Sequence, residues 1–444
     1  MNTRYCDPRI AGKWTKGYKA SKWDAVELAV IEARVKLGRV PESEFLIIKE
    51  ALANKPVDIE WWEKREAQVG HDYESYCDER KRHLPAWLQH RWHQDLTTYD
   101  GQDPAFMLIL QECVSIVKED VLVLFGALYK LARQHRFSMS LGKTHRQFAE
   151  LQSFGKRFLT YVVQFDASCE ELDKARGNLA FGKFAGPVGN YGLLDPELEK
   201  AACDILKLEV KYGVTQIIPR ELLVPVANAL SQMAQTIYKI ANDICESTTG
   251  AYPICHVPFP RKGKGSSAMP WKRNPWRLEG LKGMADMALA RQFSIARTIQ
   301  TAFERDMGQS CVERNEWEDL FNIVVYAMKT LDSVLDKLEV YPDNMMREID
   351  DSHGTYAGLA ARDFLVSLGF DDQEAYRIIQ VSGWMTLMPT LVGEQMRQGV
   401  CLCQRSNRVS WLYSPRTSCN SDSNNPRNHL RTSSRVHSYS GAHC

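Results

Sequence analysis

The chain has 444 residues, of which 44% are hydrophobic and 25% are charged, and its formal net charge is +1. This composition supplies a large buried core in more than one structural unit, and the near-zero net charge argues against a protein that coats a polyanion. The longest apolar stretch is far too short to span a membrane, and the first ten residues lack the apolar core of a signal peptide. The sequence therefore predicts a cytoplasmic protein.

Hydrophobic periodicity predicts helices along most of the chain. Shorter helices are expected before residue 107, for example over 23–37 and 61–71, with prolines between them. Apolar residues spaced alternately four and three apart then predict long helices of a bundle. The five segments concerned are residues 110–131, 158–172, 226–244, 276–301 and 320–338. Shorter helices are predicted again over 355–368 and 372–381.

These segments predict an all-α fold with three successive domains: residues 1–107, a central long-helix bundle over 108–345, and a C-terminal helical domain over 346–398. Residues 399–444 differ in composition, because from 401 onward there are ten serines, six arginines and four cysteines but no lysine. Such a change is typical of a disordered tail or of translation in a wrong reading frame, and the cysteine content favours the second. The C-terminal domain is then truncated.

The twelve cysteines lack CxxC spacing, and Cys113, Cys169 and Cys245 fall within helical apolar patterns. We expect reduced core residues rather than disulfides. A group of potential metal ligands has spacings that match no standard site: His71, Cys77, His83, His90 and His93. Neither a structural metal nor a cofactor is therefore expected.

A basic loop separates the third and fourth bundle segments. Residues 257–277 contain six basic residues and no acidic one. Gly263 and Gly265 make its start flexible, while Pro270 and Pro275 stiffen its end before a helix whose N-terminus adds positive potential. The composition predicts a loop that closes over an anion, although many such loops are merely solvated.

Within this loop, the string GSSAMPWKRNP resembles the GSSxMPxKxNP motif of the fumarase/aspartase superfamily. These enzymes remove a weakly acidic proton beside a carboxylate and pass through an aci-carboxylate intermediate. The resemblance implies that Ser266 is the catalytic base, since backbone N–H groups and cations can stabilise a serine anion. It also implies that Lys272 and Asn274 hold the substrate carboxylate, where fixed donors stabilise developing charge.

Two further strings contain histidines. KTHRQ resembles the R-T-H-x-Q motif of the superfamily, which implies substrate contacts by Thr144 and Gln147 and general-acid catalysis by His145. We expect His145 at the start of a helix. GHD resembles the R-H-D motif of the adenylosuccinate lyase family, so His71 is a second catalytic candidate and Asp72 a substrate contact. Which histidine protonates the leaving nitrogen stays open.

Other strings resemble substrate-binding motifs of the same family. HQDLTTYDGQD is similar to H-x-G-x-T-S-S-D-x-x-D, which implies that Thr97 and Thr98 contact a carboxylate. TQIIPR is similar to TQxIPR, which implies that Gln216 contacts the succinyl group. GPVGNY, at residues 186–191, is similar to GAVGxY.

A nucleotide substrate requires a phosphate site, and two strings resemble the one in adenylosuccinate lyases. Arg4 and Tyr5 match an N-terminal RY pair. The pattern E-R-D-x-x-x-S-x-x-x-R implies that Arg305, Ser310 and Arg314 bind substrate and phosphate. The planar fork of arginine suits a phosphate.

The resemblance implies β-elimination of fumarate from adenylosuccinate to give AMP, and from SAICAR to give AICAR. It also implies a homotetramer whose active sites combine three subunits, with a small nucleotide substrate and no nucleic-acid or membrane partner. Gly70 in place of arginine, Tyr99 in place of serine, and Gly308 and Gln309 in place of Ser-His depart from the family patterns. They leave open an argininosuccinate lyase, a 3-carboxymuconate cycloisomerase or a catalytically impaired scaffold. Retention of the motif serine, histidine, lysine and asparagine argues against the scaffold.

Overall fold

The computed structural model of the protein describes residues 1–259 and 262–387. The anomalous tail and the end of the expected C-terminal domain lie outside the described residues. The chain divides into two compact units at residues 364 and 365. All the features described below, except the last helices, belong to the first unit.

Five helices precede the bundle, and local sequence explains their ends. Asp7 accepts a hydrogen bond from the Arg9 N–H at the start of the first helix, and Gly70, with φ of 71°, ends the fourth. Trp23, Trp62 and Tyr76 pack edge-on in a buried aromatic cluster. The five are α1 (Pro8–Trp14), α2 (Lys16–Lys36), α3 (Glu42–Leu52), α4 (Ile59–Val69) and α5 (Asp72–Lys81).

The bundle contains the five predicted long helices, and the all-α fold class is confirmed. The seven apolar residues that predicted the first of these, from Leu110 to Leu131, are each 5% exposed or less. A shorter helix, α8, packs against α2. The helices are α6 (Thr98–Gln134), α7 (Phe154–Arg176), α8 (Pro196–Leu206), α9 (Val224–Ser247), α10 (Trp276–Ala296) and α11 (Gly308–Leu335).

Within residues 1–259 and 262–387, three two-stranded sheets interrupt the helices. β1 (Met139–Thr144) and β2 (Gln147–Ser153) form an antiparallel hairpin between α6 and α7. The other pairs are β3 (Phe181–Gly182) with β4 (Glu209–Val210), which is parallel, and β5 (Cys255–His256) with β6 (Glu339–Val340), which is antiparallel. The remaining helices are α12 (Pro342–Asp351), α13 (Gly358–Ser367) and α14 (Asp372–Leu387).

The described part of the chain contains eight of the twelve cysteines. All eight cysteines there are free thiols, with Cys113 buried and Cys169 and Cys245 partly buried. None of the helices in the described ranges is long and apolar enough to cross a membrane.

Candidate active site

A cavity of about 280 Å³ lies where α1 and α2 meet the first turns of α6 and α11. Its walls include Asp72, Ser310 and Arg314, which the sequence predicts as substrate contacts, together with Tyr99. Arg314 lies 3.4 Å from the Asp72 carboxylate. Burial raises the pKa of Asp72, and the charge of Arg314 opposes that increase. The cavity therefore brings together three predicted contacts that are far apart in the sequence.

The TQIIPR string and the segment before α11 are connected beside this cavity. Arg305 donates from Nη1 to Gln216 Oε1 at 3.1 Å, and Thr215 Oγ1 donates to the Glu304 carbonyl at 2.8 Å. Gly189 of the GPVGNY string also packs here with φ of 79°, since a Cβ at that position would lie 2.1 Å from the Val214 carbonyl oxygen. The three family-like strings are thus in contact with one another.

The first turn of α6 presents Thr97 and Thr98, both partly exposed. Thr97 and Asp100 form a capping box, in which the Thr97 N–H donates to Asp100 Oδ2 at 2.9 Å. Lys183, which belongs to none of the motifs, donates to Asp100 Oδ1 at 2.6 Å. Lys183 and Asp100 are both fully buried. Their ion pair fixes the helix end that carries the two threonines.

The segment just before α6 has a strained backbone held by α2. His93 and Asp95 have positive φ, of 61° and 62°, a conformation that non-glycine residues rarely adopt. Asp95 replaces the glycine of the family pattern and pairs with Arg34 at 3.1 Å. Glu27, two turns earlier on α2, accepts from the His93 N–H at 3.1 Å and lies 2.7 Å from His93 Nδ1. These α2 contacts compensate the strain and position the threonines.

Two of the five potential metal ligands in the sequence, Cys77 and His93, lie close together, and Glu27 lies beside them. Their potential ligand atoms lie within 4.8 Å of one another. The Glu27 carboxylate, however, already accepts from Tyr73 Oη at 2.8 Å as well as from His93. We therefore interpret this group as a buried hydrogen-bond network that supports the segment before α6.

The other predicted residues of the N-terminal region lie outside these contacts. His71 is exposed and caps α5, where its Nδ1 accepts from the Glu74 N–H at 3.2 Å. Arg4 is exposed, and Tyr5 packs edge-on against Tyr326, with ring centres 5.4 Å apart. In the described part of the chain, no hydrogen bond or ion pair joins the Arg4 and Tyr5 side chains to Ser310 or Arg314.

His145 lies at the tip of the β1–β2 hairpin, so the expectation that it begins a helix is wrong. Thr144 pairs with Gln147 across the tip, and His145 and Arg146 form the turn with φ of 52° and 63°. The prediction was wrong because the motif specifies residue types and not the conformation of the backbone. Thr144, His145 and Gln147 are all exposed, so the hairpin presents them away from its own core.

The loop that contains Ser266 connects β5 to α10, and its residues 260 and 261 lie outside the described ranges. Ser266 Oγ accepts from the Met269 N–H at 3.1 Å. Asn274 donates to the Gly265 carbonyl at 2.9 Å, which closes the loop. Lys272 is exposed. Lys272 is therefore accessible to a ligand, and the Met269 N–H is already directed at the oxygen of Ser266.

Arg273, at a variable position of the motif, anchors this loop. It donates to both carboxylate oxygens of Glu339 on β6, at 2.6 and 3.0 Å, and to the Val257 carbonyl at 3.2 Å. Tyr341 Oη donates to the same Glu339 at 2.6 Å. Sequence reasoning missed this anchor because its acidic partner lies 66 residues away.

The candidate residues lie at two opposite ends of the bundle. The cavity is at the starts of α6 and α11, whereas the hairpin follows the end of α6 and the Ser266 loop is tied to β6, after the end of α11. α6 has 37 residues, which corresponds to about 55 Å at a helical rise of 1.5 Å per residue. One small substrate cannot contact both ends within a single chain.

The chain is similar in sequence to known lyases. A family model described as Lyase matches residues 86–289. The adenylosuccinate lyase of Synechocystis sp. is 30% identical over 382 residues, covering 86% of this chain and 88% of its own. That of Thermotoga maritima is 29% identical over 380 residues, covering 86% and 87%.

Two solved structures share the fold. The fumarate lyase of Mesorhizobium sp. superposes with a TM-score of 0.79 at 20% identity, covering 89% of this chain and 90% of that one. The β-carboxy-cis,cis-muconate cycloisomerase of Acinetobacter calcoaceticus superposes with a TM-score of 0.77 at 18% identity, covering 92% of both. Fold and family match thus define an enzyme of the lyase type with the fumarase/aspartase fold. Within that class, the chain belongs to the adenylosuccinate lyase family.

Proposed function

We propose that this protein cleaves the C–N bond of adenylosuccinate to release fumarate and AMP, and converts SAICAR to AICAR in the same way. The observation that carries the proposal is that Ser310 and Arg314 line the cavity, while Arg305, hydrogen-bonded to Gln216, lies over the ring of Tyr99 in the cavity wall. Two arginines and a hydroxyl suit a phosphate, and the amide suits a succinyl carboxylate. A dicarboxylate of the size of fumarate has no use for a phosphate site.

In the proposed reaction, Ser266 removes the proton from the carbon beside a succinyl carboxylate, and the electron pair moves onto that carboxylate. The C–N bond then breaks as His145 protonates the leaving nitrogen, and the pair returns to form the double bond of fumarate. Lys272 and Asn274 stabilise the additional negative charge of the intermediate. His71, beside Asp72, positions the substrate and is the alternative acid. None of these steps requires a cofactor.

The local geometry supports Ser266 as the base. Its Oγ already accepts a backbone N–H from Met269 at 3.1 Å, and Lys262, Lys264 and Lys272 lie in the same loop. A donor and nearby cations favour the ionised form of a hydroxyl.

We further propose that the enzyme is a cytoplasmic homotetramer whose active sites combine the cavity of one subunit with the hairpin and the Ser266 loop of others. The separation of these elements along the bundle supports this arrangement. Exposed apolar residues on three bundle helices supply surfaces for subunit contact. They include Leu122 at 70% exposure, Val163 at 63% and Phe293 at 65%.

The activity is tested by incubating the protein with adenylosuccinate and following its absorbance as AMP and fumarate form. We expect turnover, with fumarate and AMP in equal amounts. Argininosuccinate and 3-carboxymuconate serve as comparison substrates. Turnover of either of these without turnover of adenylosuccinate contradicts the proposed substrate.

The shared site predicts complementation between inactive variants. Ser266→Ala and His145→Ala proteins, each nearly inactive, should regain about a quarter of the wild-type activity after equal mixing with subunit exchange, since each site then draws the two residues from different subunits.

A matched mixture controls for this result. Ser266 and Lys272 belong to one loop, so mixing Ser266→Ala with Lys272→Ala should restore no activity. Restoration in both mixtures, or in neither, contradicts the shared-site arrangement.

A further inference from the structure

Two positions at which this chain departs from the family patterns are in contact, although they are 210 residues apart. Gln309 donates from Nε2 to Tyr99 Oη at 3.2 Å and to Glu313 Oε2 at 2.6 Å. Tyr99 is 4% exposed and Gln309 is 3% exposed. The family patterns have serine and histidine at these positions, so this buried contact joins two residues that both depart from those patterns.

The ring of Tyr99 lies directly beneath Arg305. The Arg305 guanidinium carbon is 4.1 Å from the ring centre, and that of Arg220 is 5.9 Å away. A guanidinium over an aromatic face is attracted by the ring quadrupole, most strongly where water is excluded. Arg305 belongs to the segment before α11, in which Phe303 is 95% exposed. This segment has little packing of its own, so the ring is a principal support of the arginine.

Arg305 has donor capacity left for a ligand. Nη1 donates to Gln216 Oε1 at 3.1 Å, and Nη2 donates to Met307 Sδ at 3.1 Å. Nε is buried and has no hydrogen-bond partner among the described residues. A buried guanidinium N–H without a partner is unfavourable until an acceptor arrives. Phosphate and carboxylate oxygens are the acceptors that match this fork.

We propose that Tyr99 is a positioning residue, whose ring holds Arg305 in place to bind the phosphate of the substrate and whose hydroxyl is oriented by Gln309. In this chain, the pair of Tyr99 and Gln309 thereby takes the place of the serine and histidine of the family patterns. The inference rests on the proposed function only for the identity of the anion.

The test is a double-mutant cycle between Tyr99 and Arg305, with inorganic phosphate and AMP as the ligands measured by calorimetry. Tyr99→Leu should raise both dissociation constants by about 10-fold, the size expected for loss of a desolvated cation–π contact. Tyr99→Phe keeps the ring and should have a much smaller effect. In the Arg305→Met background, Tyr99→Leu should add almost nothing, since its effect acts through Arg305.

Phe106 provides a matched control, because it is another aromatic residue lining the same cavity and no cation is recorded over its ring in the described residues. In the double variant, the fold-changes in the dissociation constants caused by Phe106→Leu and by Arg305→Met should multiply, because the two side chains act independently. If Tyr99→Leu does not fold, Gln309→Met replaces it. This variant removes the hydrogen bonds of Gln309 to Tyr99 and to Glu313. The loss of the Tyr99 hydrogen bond should weaken phosphate binding about 3-fold, and this part of the effect should be absent in the Tyr99→Phe background.

The possible failures are distinguishable. Absence of adenylosuccinate turnover in the wild type overturns the proposed function, while the phosphate cycle still decides the role of Tyr99. If the wild type turns over adenylosuccinate but the fold-changes in the dissociation constants caused by Tyr99→Leu and Arg305→Met simply multiply, the positioning role of Tyr99 is overturned. Absence of phosphate binding to the wild type, or equal binding by the wild type and Tyr99→Leu, also overturns it.

Discussion

Ser266→Ala should lower kcat for adenylosuccinate by ~10²–10⁴-fold, the usual contribution of a positioned general base. The reason is that the Met269 N–H is already directed at Ser266 Oγ, a contact that favours the ionised form of this hydroxyl. Because the substitution removes only a hydroxyl from a partly exposed position, KM should change little. Steady-state kinetics on purified protein give both constants.

The neighbouring serine supplies the control. Ser267 is also in the loop and is exposed, and no hydrogen bond of its side chain is recorded in the described residues. Ser267→Ala should therefore retain most of the activity, and both variants should bind AMP as the wild type does. Similar losses in the two variants, or activity close to wild type in Ser266→Ala, would contradict the assignment of the base.

The architecture was predictable from the sequence wherever it depends on local periodicity. The residues from Leu110 to Leu131 repeat at helical spacing, and all seven are buried on α6. The end of α4 was not predicted, because Gly70 ends this helix with a positive φ inside the range 61–71 that the sequence predicted as helical. The hairpin at His145 was not predicted, since the motif specifies side chains that face a ligand and not the path of the backbone.

For the candidate site, the sequence predicted which residues take part but not which of them are in contact. The strings of the motifs named Gln216 and Arg305, but their hydrogen bond joins residues 89 positions apart. The residues that support them carry no local signal at all. Glu27 reaches His93 across 66 positions, and Lys183 reaches Asp100 across 83. Such pairs form only when helices pack, so they follow from the tertiary fold and not from spacing.

Beneath the cavity, Arg220 is buried between two carboxylates. It donates to Asp103 from Nη1 and Nη2, at 2.9 and 2.8 Å, and to Glu313 from Nε and Nη2, at 2.7 and 3.0 Å. Although burial opposes its charge, the two carboxylates raise the pKa of Arg220, so it remains a cation. Asp103 also accepts from the Ile218 N–H at 2.7 Å. The cluster therefore connects α6, α11 and the TQIIPR string.

Arg220→Met should reduce the free energy of unfolding by about 3–5 kcal/mol, the usual loss when one partner of a buried ion pair is removed. The loss is large because Asp103 and Glu313 are then left buried without a counter-charge. Arg220→Lys should recover only part of it, since an ammonium cannot reproduce the planar fork. Urea unfolding at one fixed protein concentration measures the change, because assembly contributes to stability.

Arg291 is the matched control, since it also lies between two carboxylates, Glu316 at 3.2 Å and Asp319 at 3.0 Å, but its side chain is 30% exposed. Arg291→Met should cost about 0–1 kcal/mol, as for an exposed ion pair. Equal losses for the two variants would mean that burial does not set the cost. A large loss at Arg220 alone, together with weaker AMP binding, is expected if the cluster holds Gln216 and the first turn of α11 in register.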